Sequence, residues 1–329
     1  MRSRALALGV LCLCSFTINI DTSIVNVALP SLVTELGAST RELQWIVDAY
    51  NLAFAALVLA AGSLSDRFGR QRALLVGLAV FGIATLVGST LTSPGPLIAA
   101  RAVMGVGAAL IFPSTLSIIS NLFPVRAERA KAIGLWGATT GLGVALGPIT
   151  GGWLLGHFWW GSVFVVMAPV ALVAFVACLR FVPNSRDPQT PPVDIVGLVL
   201  STAGIGTLIF TIIEAPETGW TEPATIGGFV ASLVLFVAFW RWEHGREHPM
   251  LDVGLFRNLR FSAASGAVTV AFFALFGFIF LVTQYFQFVR GYSALSAGVR
   301  VIPLAVCLGI ASVTGVKLAV RLGNKVVIA

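Results

Sequence analysis

Three ionisable side chains interrupt the apolar runs of this chain: Asp21, Asp48 and Arg101. A charge inside an apolar segment is costly, and where it persists it usually faces a cavity or a partner. A carboxylate held there binds a proton or a cation, but not both well. That exclusivity is sufficient for exchange: a proton arriving from one side releases a cation, and a cation arriving from the other releases the proton. Asp21 is the first candidate. Counted from the basic N-terminal end, it lies roughly 24 Å along its helix, near or beyond the membrane midplane. The competing reading is an Asp satisfied by Arg101 or by backbone amides. Asp48, beside Trp45, is the second candidate, and its competitor is a hydrated interfacial carboxylate. Arg101 would tune a neighbouring carboxylate or form a plain structural ion pair. Asp48 and Arg101 are expected about one turn inside the outer ends of their spans, so that all three can meet in the outer half.

The elements that must position these groups follow from composition. The chain is 57% hydrophobic and 11% charged, with a mean hydropathy of +0.93, whereas soluble domains carry about 25% charged residues. Apolar runs near the length that crosses a hydrocarbon core recur along it. They predict spans at 5–30, 45–63, 73–91, 97–120, 132–155, 161–182, 194–213, 225–242, 261–283 and 296–320, with loop signals at Ser93-Pro94-Gly95-Pro96, Pro183-Asn184-Ser185, Pro191-Pro192 and Glu222-Pro223. The chain therefore reads as an all-α polytopic membrane protein. If the ten spans alternate, Arg41, Arg290 and Arg300 fall on one side and Arg101 within a span. The rest of the 21 Lys and Arg residues fall on the N-terminal side. The positive-inside rule then places the N-terminus in the cytoplasm. The net charge of +7 is a topology signal and not a nucleic-acid footprint. Trp159 and Trp160 suit an outer interfacial belt. The stretch from about Arg241 to Arg260 is expected to lie on the membrane surface as a linker. Met1-Arg2-Ser3-Arg4 resembles the start of a signal peptide, but the apolar run continues to Pro30 and contains Asp21, so an uncleaved first span is expected.

The fifth span contains Gly143-Val144-Ala145-Leu146-Gly147-Pro148-Ile149-Thr150-Gly151-Gly152. In a soluble helix each glycine costs about 1 kcal/mol and the proline about 3 kcal/mol. In a bilayer, neighbouring helices satisfy the freed backbone groups, and the bare glycine face lets another helix approach closely. A bent, smooth helix is what a moving, gated bundle needs. The competing reading is a packing helix with no part in motion.

Enzyme chemistry finds no support. Cys12, Cys14, Cys178 and Cys307 lie in apolar runs without metal-ligand spacing and read as small buried hydrophobes. His157, His244 and His248 are expected in loops, and Glu247 does not complete a zinc set with them. No phosphate-binding loop is present, so no cofactor is expected and the drive would be a proton gradient. Phe16, Phe112, Phe272, Phe273, Phe276 and Phe280 offer cation–π faces. Spacing does not separate these from lipid-facing rings, and none is assigned to a site.

Gly62-Ser63-Leu64-Ser65-Asp66-Arg67-Phe68-Gly69-Arg70-Gln71-Arg72 reads as a tight cytoplasmic turn and resembles the loop signature of the major facilitator superfamily. The 143–152 stretch resembles the antiporter signature of that superfamily's fifth helix. Asp21-Thr22-Ser23-Ile24-Val25-Asn26-Val27-Ala28-Leu29-Pro30 is similar to the first-helix motif of its fourteen-helix drug:proton antiporters, and Arg101 to Ala109 to their fourth-helix motif, with Met104 where that motif usually has Gln. Trp45 to Tyr50, His157 to Ser162 and Pro249-Met250-Leu251-Asp252 resemble exporters of quaternary ammonium compounds.

The resemblance implies a major facilitator fold: two six-helix bundles plus an extra central helix pair, with about ten spans present. Residues 1–182 would form the first bundle, 183–260 the extra hairpin and linker, and 261–329 the start of the second bundle. The chain stops at Ala329, just after Arg321 to Lys325, which resembles a second copy of the loop motif. The family would continue with four more helices, so a fragment is expected. The implied function is proton-coupled export of lipophilic cations across the cytoplasmic membrane. Alternatives are a neutral or anionic cargo, or a fragment that inserts without transporting. Asp21, Asp48 and Arg101 would couple proton and cation. Gly62, Asp66, Arg67, Gly69 and Arg70 would form the cytoplasmic gate, with Asp66 bracing a helix of the second half. Gly143, Gly147, Pro148, Gly151 and Gly152 would form the antiporter helix. Leu308 near an acidic position of dication exporters counts against dications.

Overall fold

Helices extend well past the apolar windows that mark them. A computed structural model describes residues 2–186, 194–246, 249, 251 and 253–322. The first span becomes α1 (Arg2–Leu36), the second α2 (Thr40–Phe68), the third α3 (Arg70–Ser89), the fourth α4 (Pro94–Leu122) and the fifth α5 (Arg126–His157). Hydropathy marks only the segment immersed in hydrocarbon, whereas a helix continues until its terminal amides and carbonyls find a stop. At the start of α2 that stop is a capping box: Glu42 N donates to Ser39 Oγ at 3.3 Å, and Ser39 N donates to Glu42 Oε2 at 2.9 Å.

Asp48 and Arg101 stand eight and seven residues into their helices, roughly two turns from each helix start. These longer helices correct two expectations. The Gly62–Arg72 stretch is a helical corner rather than a loop, because α2 carries Asp66 and Arg67 to Phe68 and only Gly69 separates it from α3. His157 and His244 are terminal helical residues, His157 taking the carbonyl of Trp153 at 2.8 Å and His244 stacking on Trp240.

The sixth span is divided into α6 (Ser162–Val165) and α7 (Met167–Phe181). It is followed by α8 (Ile195–Thr218), α9 (Pro223–His244), α10 (Leu259–Gln284) and α11 (Ala294–Leu322). Among the described residues nine segments are long and apolar enough to cross a membrane, and α11 occupies the tenth expected span. Trp160 is buried against Phe164 rather than interfacial, while Trp159 is exposed. Cys12, Cys14 and Cys178 are buried as expected, but Cys307 is exposed, on a face of α11 that no described helix covers. Glu247, His248, Met250, Asp252 and the Gly323–Ala329 end lie outside the described residues, and with them part of the second loop-motif copy.

The core forms around α1, whose Leu11, Cys14, Ile18, Ile24, Val25 and Leu29 belong to one buried cluster with residues of α2 to α7. Prolines 30, 113, 148, 216 and 303 all sit inside helices, a placement that neighbouring helices make tolerable in a membrane. The hairpin of α8 and α9 packs on α2, and α11 runs along α5. Arg41 ties the start of α2 to the end of α8 through Glu214 at 2.6 Å and Glu217 at 3.6 Å. Trp45 meets Phe210 on the same seam.

Candidate functional site

α1 and α4 bring Asp21 and Arg101 together. Arg101 Nη1 donates to Asp21 Oδ2 at 2.6 Å, with the two side chains 1% and 0% exposed. Arg101 Nε donates to the carbonyl of Ile46 on α2 at 3.0 Å, and Nη1 also faces the Met104 sulfur at 3.6 Å. The guanidinium lies 4.4 Å from the centre of the Tyr50 ring and 6.0 Å from that of Phe164, and Tyr50 Oη donates to the Ile18 carbonyl at 3.3 Å. Met104 thus replaces a polar side chain with a weak thioether acceptor turned toward the ion pair. The other oxygen of Asp21, Oδ1, is buried without a hydrogen-bond partner.

Asp48 does not join this pair. It lines a separate cavity of about 460 Å³ between α1, α2 and α10, with Thr22, Asn26, Gln44 and Asn51 as its polar neighbours. Phe272, Phe273, Phe276 and Phe280 of α10 form the opposite wall. The volume falls within the usual range for small-molecule sites. A carboxylate facing aromatic rings suits a bulky organic cation, which is attracted by the charge and by the ring faces together. Sequence reasoning noted these phenylalanines without assigning them, and left Asn26 as one letter of a motif. The i, i+4 spacing of Phe272, Phe276 and Phe280 was visible, but a lipid-facing stripe has the same spacing. The basic residues expected on the outer side are engaged elsewhere: Arg41 with Glu214, and Arg290 and Arg300 around Tyr292. The hydrogen bond from Arg290 to the Tyr292 hydroxyl holds that phenol below its ordinary range.

The antiporter-like stretch of α5 lies on two partners. A β-carbon added at Gly143 would meet the Phe16 carbonyl at 2.9 Å. One at Gly147 would overlap Ser23 Oγ, and one at Gly151 would meet Ile24 Cγ1 at 2.7 Å, all on α1. On another side Gly152 faces Leu295 of α11, with Leu295 N at 2.6 Å from such an atom, and Gly298 of α11 abuts the Pro148 carbonyl. Nearer the start of α5, Thr140 shares a 2.8 Å hydrogen bond with Ser15 of α1, and Trp136 Nε1 donates to Thr115 Oγ1 of α4 at 3.2 Å.

At the corner between α2 and α3, Arg70 Nε donates to Asp66 Oδ1 at 2.6 Å, and Arg67 lies over the ring of Phe68. Gly62 lets α4 approach through Pro113. Gly69 has φ +119°, a conformation nearly closed to residues with a β-carbon. The Asn184 amide covers the place where that carbon would go, with Oδ1 at 2.9 Å from it. Arg70 N donates to the Ser185 carbonyl at 2.9 Å, so the segment after α7 clasps the corner. Replacing Gly69 with Ala is expected to cost about 1–3 kcal/mol, read as reduced thermal stability of the detergent-solubilised protein. Unchanged stability would show that the corner relaxes freely.

The sequence model described as Major Facilitator Superfamily matches residues 11–329. Among curated relatives, the chain is 40% identical over 315 residues to the "Multidrug efflux pump LfrA" of Mycolicibacterium smegmatis, covering 96% of this chain and 62% of that protein. It is 34% identical to the "Methyl viologen resistance protein SmvA" of Salmonella typhimurium, covering 98% and 65% respectively. The chain thus spans less than two thirds of the length of these relatives. Its fold is similar to a peptide transporter POT solved in complex with sulfate, with a TM-score of 0.64 and 16% identity over 97% of this chain and 69% of that one. It is also similar to a bacterial homologue of the human lysosomal transporter Spinster in an inward-facing, unoccupied conformation, with a TM-score of 0.59 and 21% identity over 98% and 63%.

Proposed function

The chain belongs to the Major Facilitator Superfamily, and from that premise we propose that it is part of a proton-coupled exporter of lipophilic cations in a bacterial cytoplasmic membrane, with its N-terminus in the cytoplasm. The observation that carries this reading is the separation of two carboxylates. Asp21 is locked to Arg101 with one oxygen unpartnered, while Asp48 faces an aromatic-walled cavity. The first suits a proton and the second a cation, and both lie on α1 and α2, which must shift together when the cavity opens or closes. The printed names of two relatives, a multidrug efflux pump and a methyl viologen resistance protein, support export of small organic molecules and leave the charge of this chain's cargo to the site.

In this reading α1 to α7 form the first bundle, α8 and α9 the added hairpin, and α10 and α11 begin the second bundle. Asp66, Arg67 and Arg70, with Gly62 and Gly69, form the cytoplasmic gate corner. Gly143, Gly147, Pro148, Gly151 and Gly152 let α5 slide between α1 and α11. A latch worth a fraction of a kcal/mol to about 1 kcal/mol at a helix end is enough to bias two states that differ by a few kcal/mol.

The test uses the complete protein in everted vesicles with an acid interior and a pH-sensitive dye. Adding a lipophilic monovalent cation is expected to release protons from the interior. Asp21→Asn is expected to abolish that release while leaving cation binding measurable, and Asp48→Asn is expected to weaken cation binding by about tenfold or more. Normal proton-driven export by Asp21→Asn would sink the coupling assignment.

A further inference from the structure

In the polar wall of the Asp48 cavity the amides of Gln44 and Asn51 carry N–H donors, whereas Asn26 holds an acceptor without a donor. Asp48 is acceptor-only when ionised, and the Asn51 amide stands beside it as a hydrogen-bond partner. Thr22 spends its hydroxyl proton on the Ile18 carbonyl at 3.0 Å. Asn26 Nδ2 donates to the Thr22 carbonyl at 3.0 Å. That bond fixes the orientation of the amide, because a carbonyl can only accept and the atom facing it must be the nitrogen. Asn26 Oδ1 is therefore the unpaired end of the amide; on a side chain 7% exposed that lines the cavity, it is shielded from water and has no hydrogen-bond partner. Among the described residues, no Lys or Arg lines the cavity.

We propose that this cavity selects cations bearing an N–H donor (protonated amines, amidines or guanidines) over quaternary ammonium ions, and that Asn26 makes the selection. The inference rests on reading the cavity as the cation site. The charge of Asp48 and the phenylalanine faces attract both classes of cation, since Coulomb attraction and cation–π contact need no donor. They set affinity and leave the two classes nearly equal. The carbonyl of Asn26 does not. A protonated amine that reaches that oxygen supplies the N–H it lacks, whereas a quaternary ammonium presents only methyl groups and leaves the acceptor as unpartnered as it already is. Sites built to hydrogen-bond a ligand N–H reject the analogue that lacks it more strongly than apolar pockets reject a change of size. This preference differs from the quaternary ammonium cargo that the sequence resemblance implies.

The test is direct binding to the complete protein in lipid nanodiscs near neutral pH. The probes are two fluorescent naphthalenes identical except for the tail, one ending in a protonated dimethylamino group and the other in its N-methylated quaternary counterpart. The tertiary probe is expected to bind tighter by about tenfold or more. Asn26→Leu is expected to bring the ratio close to one, and Asn26→Ser, which keeps an acceptor, to retain part of the preference. Asp48→Asn is expected to weaken both probes alike. Equal binding of the two probes to the unmodified protein, with both weakened by Asp48→Asn, would overturn the selection and leave the cation site standing. A preference that survives Asn26→Leu would remove Asn26 as its source. Binding indifferent to Asp48→Asn would remove the cation site and the inference together.

Discussion

Arg101→Leu is expected to destabilise the folded protein by roughly 3–5 kcal/mol, the range found when one member of a buried ion pair is removed. The size follows from what is left behind. Asp21 is fully buried, Oδ1 already has no partner, and without Arg101 its other oxygen would lose the 2.6 Å contact that satisfies it. The Ile46 carbonyl would lose its donor as well, and the ring of Tyr50 its cation. Adding Asp21→Asn to Arg101→Leu is expected to return most of the loss, because a neutral amide does not carry the cost of a buried, unpaired charge. The two substitutions therefore couple strongly and fail to add. Unfolding of the four proteins of this cycle in mixed micelles measures the coupling. Additive losses would mean that the pair is hydrated in the membrane protein and contributes little.

The charges were legible in the sequence because ionisable residues are rare in apolar runs, which reduced the search to Asp21, Asp48 and Arg101. Their grouping was legible only in part. Asp21 and Arg101 meet, whereas Asp48 turns to a cavity whose far wall is α10. Sequence distance carries no information on that wall, since α10 is more than 200 residues from Asp48 along the chain. The aromatic side chains of α10 look the same in sequence whether they meet lipid or a ligand. Asn26 was invisible for another reason. Its significance is an unpaired oxygen, and pairing is a property of the packed helices rather than of the residue type.

The fold class and the positions of the spans followed from hydropathy, because the bilayer imposes length and apolarity on every crossing segment. The ends of the helices did not. Caps such as the Ser39–Glu42 box and the single break at Gly69 decide where α2 starts and stops, and they lie in polar sequence that a hydropathy window discards. That is why the corner between α2 and α3 read as a loop.

The glycine-rich face of α5 gives the second large effect, a change of sign between two nearby glycines. Gly147→Ala is expected to cost about 1–3 kcal/mol, the usual range for overpacking, and to sit at the upper end of it. Its new β-carbon would overlap Ser23 Oγ and also meet Ile24 N at 2.9 Å and the Ile20 carbonyl at 3.0 Å. The hydroxyl can rotate away, but two backbone atoms of α1 cannot, so α5 must move off α1 as a whole. Gly141, less than two turns earlier on the same helix, has nothing within 4 Å of such an atom. There the substitution meets no steric cost, and Gly141→Ala is expected to stabilise by up to about 1 kcal/mol through helix propensity alone. Thermal unfolding of the two variants beside the unmodified protein decides the matter. Opposite signs place the close helix contact at Gly147 and nowhere near Gly141. Equal, small effects would mean that α1 and α5 are far enough apart for both glycines to be incidental. Gly147 holds α5 against α1, while Gly152 and Pro148 hold it against α11. α5 is thus pressed between α1 and α11, and bulk added on either side forces these helices apart.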